Sequence, residues 1–401
     1  MSDDSPMEFS AEAFRSALRA WYRAHARKLP WRGVKDPYAT WLSEIMLQQT
    51  RVATVIDRYG EFLRRFPTLR ALAEADEADV LALWSGLGYY RRARMLHRGA
   101  QFVLREWSGK LPHSAAELRT LPGVGDYTAA AIASIAFGQS VAVLDGNVER
   151  VLLRILGRGE EKSARARSQL LAVANQLLPP ATAKTARNTP GDHNQAMMEL
   201  GATVCLPRAP LCLQCPVVTF CRTRGEHATP QRQQQQSRIA AHLLALRKRG
   251  VTTEVLLEWR APEKSQMPGM LELPPLPLDL IAGREPVLRL RHAITNTNYY
   301  VQVFAESAQG VKPEVEAHDL DPELSPNDEL HALSAAGEED DDLIVAEPSE
   351  RNQEATLLDA LPKAVREWIP AGRLLHLPLT GLARKSLQRL GVMAVPKVQI
   401  G

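Results

Sequence analysis

The sequence predicts two parts of different class, a mostly α-helical first domain and an α+β second domain. Three observations predict it. Apolar residues recur at intervals of three and four from about residue 10 to 200. All four cysteines fall between Cys205 and Cys221. Past the polar run "QRQQQQ" at 231–236, which reads as a linker, stretches with β-branched residues replace the helical period.

The length of 401 residues exceeds the usual size of a single core, so two domains are expected, each able to bury its own apolar face. Apolar content of 45% and charged content of 24% are those of a globular chain, and no apolar run approaches the roughly 20 residues of a membrane span. The acidic start "MSDDSPMEFS" does not read as a signal peptide, and no membrane association is expected. Charge is uneven. Residues 1–230 carry 30 Lys/Arg against 22 Asp/Glu, leaving 19 against 24 for the remainder, so only the first part suits a polyanion.

In order along the first part, "FRSALRAWYRAHARKL", "TWLSEIMLQQTRVATVIDRYGEFLRRF", "EADVLALWSGLGYYRRARMLHRGAQFVLREW", "SAAELRTL", "YTAAAIASIAFG" and "NVERVLLRILG" read as helices. In the second part, "RIAAHLLALRKRGVTTEVLLEWR" reads as a hairpin turning at Gly250, and "RLRHAITNTNYYVQVF" as a further extended stretch. "LLDALPKAVREW" is expected to be a helix, and the acidic residues 314–351 a solvated insert.

The cysteines follow C-x6-C-x2-C-x5-C: Cys205, Cys212, Cys215 and Cys221. Clustering of this kind points to metal ligation rather than scattered disulfides. Structural zinc sites bring two close pairs of ligands, and only one close pair exists here. The spacing favours a four-iron cluster, with zinc as the alternative.

In "LPGVGDYT", Ser114 precedes a short helix as a cap, Pro122 helps to end it, and Gly123 and Gly125 form a turn into the next helix. Backbone N–H groups at such a helix start suit a DNA phosphate, and an ordinary helix connection is the plain alternative. Asp145 in "VAVLDGNVERVLLRIL" ends an apolar run, where it or Asn147 can serve as a helix N-cap. Together with the cysteine spacing, this turn and aspartate resemble the helix-hairpin-helix DNA glycosylases of the endonuclease III superfamily.

Within that superfamily, "LPWRGVKDPYATWLSEIMLQQTRVATVIDRY", "SGLGYYRRARML", "LDGNVERVLLRILG" and "HNQAMMELGATVC" are similar to the MutY family of adenine glycosylases, over residues 10–225. The resemblance implies a helix-hairpin-helix catalytic domain at 8–228 with a [4Fe-4S] loop at 205–221. A linker at 229–238 and a Nudix-like domain at 239–395 would follow. It also implies monofunctional excision of adenine opposite 8-oxoguanine or guanine in double-stranded DNA, by a monomer in the bacterial cytoplasm associated with the nucleoid.

By the same resemblance Glu44 is the general acid. Read from its neighbours alone, it sits near the start of a helix capped by Thr40, beside apolar Trp41, Ile45 and Met46 that can desolvate it. Asp145 supports the sugar cation, with Asn147 ordering nearby groups. Trp31, Arg32, Leu47, Gln48 and Gln195 match positions lining the base pocket, and Gln49 and Tyr89 match residues pushed into the duplex. Tyr127 stands where bifunctional relatives carry a Schiff-base lysine, and a phenol cannot form an imine. Thr295 and Asn296 match the lesion-probing loop, from which Ile294 and Asn296 depart in type. The glutamate-rich magnesium helix of true Nudix enzymes is missing. The rival readings are a glycosylase that removes thymine or uracil from mismatches, and a non-catalytic iron–sulfur DNA-binding protein.

Overall fold

The computed structural model describes residues 9–161, 163–179, 190–227, 236–261, 263–264, 267–294, 297–307 and 356–394. Two compact units divide the chain, Met1–Ala75 with Arg91–Gln231, and Asp76–Tyr90 with Arg232–Gly401. The segment Asp76–Tyr90 thus groups with the second unit, although it lies in sequence inside the helical part.

The described helices of the first part are α1 (Ala11–His25), α2 (Pro37–Leu47), α3 (Val52–Arg65), α4 (Leu69–Ala73), α5 (Glu77–Leu83), α6 (Arg91–Glu106), α7 (Ala115–Leu118), α8 (Asp126–Ile135), α9 (Gly146–Leu156), α10 (Ala164–Leu177) and α11 (Pro190–Thr203). Of these, α5 belongs to the second unit. None of the described helices is long and apolar enough to cross a membrane.

Local chemistry sets the boundaries. Asp36 caps α2 by accepting from Tyr38 N at 3.0 Å, with Pro37 at the first helical position. This corrects the cap expected at Thr40, which is buried inside the helix and whose Oγ1 donates to Asp36 O. Glu44 therefore lies past the middle of α2 rather than in its first turn. Ser114 and Glu117 form a reciprocal capping box on α7, as expected for Ser114.

The core of this unit joins α1, α8, α9, α10 and α11 through Phe14, Leu18, Ala131, Val151, Leu152, Leu170, Met197 and Leu200, all nearly inaccessible. Each such Leu or Val contributes about 2 kcal/mol on burial. Small residues let the helices close up. A Cβ at Gly201 of α11 would sit 2.6 Å from Asn147 Cβ, so glycine there sets the approach of α11 to α9. Phe220, in the cysteine loop, packs tilted against Phe9 at 5.2 Å and edge-on against Phe14 at 5.7 Å, which fixes that loop to α1.

The second unit is built on a sheet of β1 (Gln236–Arg249), β2 (Thr252–Trp259), β3 (Leu271–Glu272), β4 (Pro275–Leu276), β5 (Leu288–Ile294), β6 (Thr297–Ser307) and β7 (Arg366–Pro370). Its order is β3-β2-β1-β6-β5, with β4 paired to β1 and β7 to β2. β1 and β2 form the expected hairpin around Gly250, whose φ of 63° suits glycine. β1 starts at Gln236, inside the stretch read as linker. β1 and β6 run parallel, while β5 and β6 are antiparallel with Ile294 opposite Thr297. The stretch read as one extended segment is thus two strands of a hairpin.

Along β1, Leu244 and Leu246 join one core and Ala241, Leu243 and Ala245 another, so both faces of the sheet are covered. The helix expected over "LLDALPKAVREW" is instead a turn at 357–360 followed by β7. Pro362 interrupts any helix there, Glu306 accepts from Leu357 N and Leu358 N, and Val255 of β2 pairs with Ile369. A last helix, α12 (Gly381–Arg389), packs Leu387 into the larger core.

Candidate active site

The end of α2, the start of α8, the start of α9 and one face of α11 converge on a cavity of about 530 Å³ in the first unit. Ten of the residues expected at a site line it: Trp31, Arg32, Glu44, Leu47, Gln48, Gln49, Tyr127, Asp145, Asn147 and Gln195. Tyr89 is not among the lining residues. It belongs to the second unit, 47% exposed, with φ of 47°. Thr295 and Asn296 lie outside the described residues, as does the acidic insert.

Glu44 is 5% exposed. Burial raises its pKa, the hydrogen bond from Tyr127 lowers it, nearby Asp145 raises it and Arg32 lowers it; the balance is about 7. Tyr127 donates from its hydroxyl to Glu44 Oε2 at 2.5 Å, and Met198 Sδ lies 3.3 Å from the Tyr127 hydroxyl. Burial and the adjoining carboxylates hold the Tyr127 phenol well above its ordinary pKa, so it stays protonated.

Asp145 is the N-cap of α9. Its Oδ1 accepts from Val148 N at 2.7 Å and its Oδ2 from Asn147 Nδ2 at 3.2 Å. The same side chain lines the cavity. The chain of contacts continues along α9. Arg150 donates to Asn147 Oδ1 at 2.9 Å, to Gly201 O at 2.7 Å and to Cys205 O at 2.9 Å.

The opposite wall carries residues that motif reading missed. Glu199, 1% exposed, accepts from Arg27 Nε and Nη2 at 2.8 Å each and from Arg32 Nη2 at 2.7 Å. Burial opposes its charge, yet the Arg27 and Arg32 bonds bring its pKa below the ordinary value. Tyr22 accepts from Arg32 and lies 3.4 Å from Gln195 Oε1. A signal was present, since Gln195, Met198, Glu199 and Ala202 repeat at helical spacing. Gln48 is engaged with Thr128 Oγ1 at 3.2 Å, and Arg92 caps the end of α2 through Ile45 O, Met46 O and Gln48 O.

At the hairpin, Gly123 has φ of 78°, and a Cβ there would meet Met95 Cβ at 2.5 Å. Gly125 caps α8 and faces open space. The two glycines thus have separate jobs, one internal and one presenting backbone outward.

Cys205, Cys212, Cys215 and Cys221 line one small cavity, with Arg154 and Arg224 at its edge. Arg154 Nη1 lies 3.3 Å from Cys205 Sγ and Arg224 N lies 3.5 Å from Cys221 Sγ. No disulfide joins these cysteines.

Residues 42–176 match the family model described as "HhH-GPD superfamily base excision DNA repair protein". The chain is similar to adenine DNA glycosylase of Homo sapiens, 49% identical over 243 residues, covering 58% of this chain and 42% of that protein. It is also similar to adenine DNA glycosylase of Buchnera aphidicola subsp. Baizongia pistaciae, 39% identical, covering 52% of this chain and 58% of that protein. The chain therefore spans less than two thirds of the length of either relative. Among solved structures, a thermostable thymine-DNA glycosylase is 27% identical, covering 53% of this chain and 96% of that one, with a TM-score of 0.48.

Proposed function

We propose that the chain is a monofunctional DNA glycosylase that hydrolyses the N-glycosidic bond of adenine mispaired with 8-oxoguanine or guanine. The observation that carries this reading is the pairing of Tyr127 with a buried Glu44 whose pKa lies near 7, in a cavity that also holds Asp145. Similarity to adenine DNA glycosylases over half the chain supports the choice of base.

An acid with a pKa near 7 can hold a proton at neutral pH and give it up. Glu44 would protonate a ring nitrogen of adenine flipped into the cavity, making the base a better leaving group. Asp145, fixed by Val148 N and Asn147, would then face the sugar as it gains oxocarbenium character. Glu44, now a carboxylate, would activate the water that completes hydrolysis. Arg32, held by Glu199, and Trp31, packed edge-on against Tyr59 at 5.5 Å, would frame the base. A protonated phenol at 127 supplies no amine, so excision would leave the strand intact.

The four thiols fit a [4Fe-4S] cluster as donors, and N–H groups already approach two of the sulfurs. The single close pair in the C-x6-C-x2-C-x5-C spacing supports a four-iron cluster over zinc. When bound, the cluster would cross-link the loop after α11. A Nudix-like domain in the second unit would read the opposite base rather than hydrolyse nucleotides.

The test is base release from duplexes with A, T or U opposite 8-oxoguanine or guanine, with and without alkali. Free adenine, with strand breaks only after alkali, is expected. Release of T without A would overturn the substrate, and breaks without alkali would overturn the monofunctional assignment.

A further inference from the structure

Within the second unit, helix α12 touches two features that have no evident link in the sequence. Its start is stitched to the sheet, with Thr380 N donating to Leu271 O and Leu271 N to Pro378 O, both at 2.9 Å. Just before its cap, Leu379 O accepts from the Tyr90 hydroxyl at 3.0 Å. One turn in, Arg384, 6% exposed, donates from Nε to Ser85 Oγ. Ser85 and Tyr90 are buried, and the Tyr90 hydroxyl lies 3.3 Å from Ser85 Oγ.

These contacts bracket a loop of unusual backbone. Gly86, Gly88 and Tyr89 have φ of 95°, 67° and 47°, and Trp84 Nε1 donates to Gly88 O at 3.1 Å. A tyrosine with positive φ, held exposed close to buried Leu87 and Tyr90, persists only where its surroundings over-determine it. On its other side α12 meets β5. Lys385 Nζ donates to Arg291 O at 3.1 Å, and the His292 ring lies against Gly381, where a Cβ would be 3.7 Å from Cε1. Arg291 and His292 directly precede the end of the β5–β6 hairpin at Ile294 and Thr297.

The geometry points to α12 as a strut that holds Tyr89 and the Arg291–His292 stretch of β5 as one rigid body, with Arg384, Ser85 and Tyr90 as positioning residues for Tyr89. A probe held in this way loses little freedom when it enters a duplex, so the strut sharpens the choice of the base opposite adenine. The strut's role in selection rests on the proposed glycosylase reading; its mechanical role does not.

The test compares wild type with Tyr90→Phe, Arg384→Met, Tyr89→Ala and Tyr89→Ala/Tyr90→Phe, using the full chain. Tyr90→Phe removes one hydroxyl from a filled site and is the variant that keeps the fold. Amide exchange over 85–90 is expected to quicken in both Tyr90→Phe and Arg384→Met, with α9 unchanged. Preference for A opposite 8-oxoguanine over A opposite guanine is expected to fall about fivefold in Tyr90→Phe, the loss typical of one hydrogen bond. The saturating single-turnover rate should hold. Tyr90→Phe should add nothing on top of Tyr89→Ala. Unchanged exchange in both variants, full preference in Tyr90→Phe, or additive losses would overturn the strut. If wild type released no adenine, the glycosylase reading would fail, and the exchange data alone would still decide the mechanical claim.

Discussion

The Tyr127 hydroxyl lies 2.5 Å from Glu44 Oε2, joining α8 to α2 across the cavity. Because the phenol donates, it stabilises the carboxylate and opposes the larger effect of burial. Tyr127→Phe removes that donor. The Glu44 pKa should then rise by about one further unit, as read by carboxyl NMR titration of glutamate-labelled protein. An unmoved midpoint would show that the short contact does not tune the acid.

Glu44→Gln should abolish excision, leave duplex binding largely intact and change stability with a definite sign. The carboxyl titrates near pH 7 when folded and near 4.5 when unfolded, so the folded state binds its proton more tightly and wild type loses stability as pH rises from 4.5 to 7. The loss is on the order of 3 kcal/mol. Glutamine escapes it and can still accept from Tyr127. Thermal melts should show Glu44→Gln more stable than wild type at pH 8 and matched to it at pH 4. Equal melting shifts at both pH values would refute the desolvated acid.

Glu199 is the shared counter-ion of Arg27 and Arg32. Glu199→Gln should cost about 2–3 kcal/mol in urea unfolding, because the guanidinium of Arg32 is then left in the wall without its partner. Base release should weaken through poorer pocket binding more than through the chemical step. Wild-type stability in this variant would mean that water replaces the carboxylate.

Gly123 and Gly125 should separate cleanly. Gly123→Ala meets both a positive φ and Met95, and should cost about 2–4 kcal/mol. Gly125→Ala points into open space and should cost under about 1 kcal/mol while weakening duplex binding. The reverse ordering in melts and binding curves would contradict the assigned roles.

Much of the pocket was legible because its residues sit in short motifs: Trp31 and Arg32 before α2, Glu44 to Gln49 along it, Tyr127 and Asp145 at helix starts. The Arg27–Glu199 pair was not, since it joins residues 172 apart and depends on how α1 and α11 pack. Thr40 was misread as a cap because Asp36-Pro37, the stronger start signal, was passed over. "LLDALPKAVREW" has helical leucine spacing, but pairing with β2 outweighs that local preference around Pro362. The grouping of Asp76–Tyr90 with the second unit rests on Tyr90, Ser85 and Arg384, contacts nearly 300 residues apart that no local pattern encodes.

The central claim is that a buried carboxylic acid at position 44 drives adenine release, and single-turnover release from a duplex with A opposite 8-oxoguanine, measured from pH 5 to 9, tests it most directly. The rate should be high while Glu44 is protonated, fall as pH rises through about 7, and vanish at every pH in Glu44→Gln. A rate flat across that range, or substantial release by Glu44→Gln, would contradict the account.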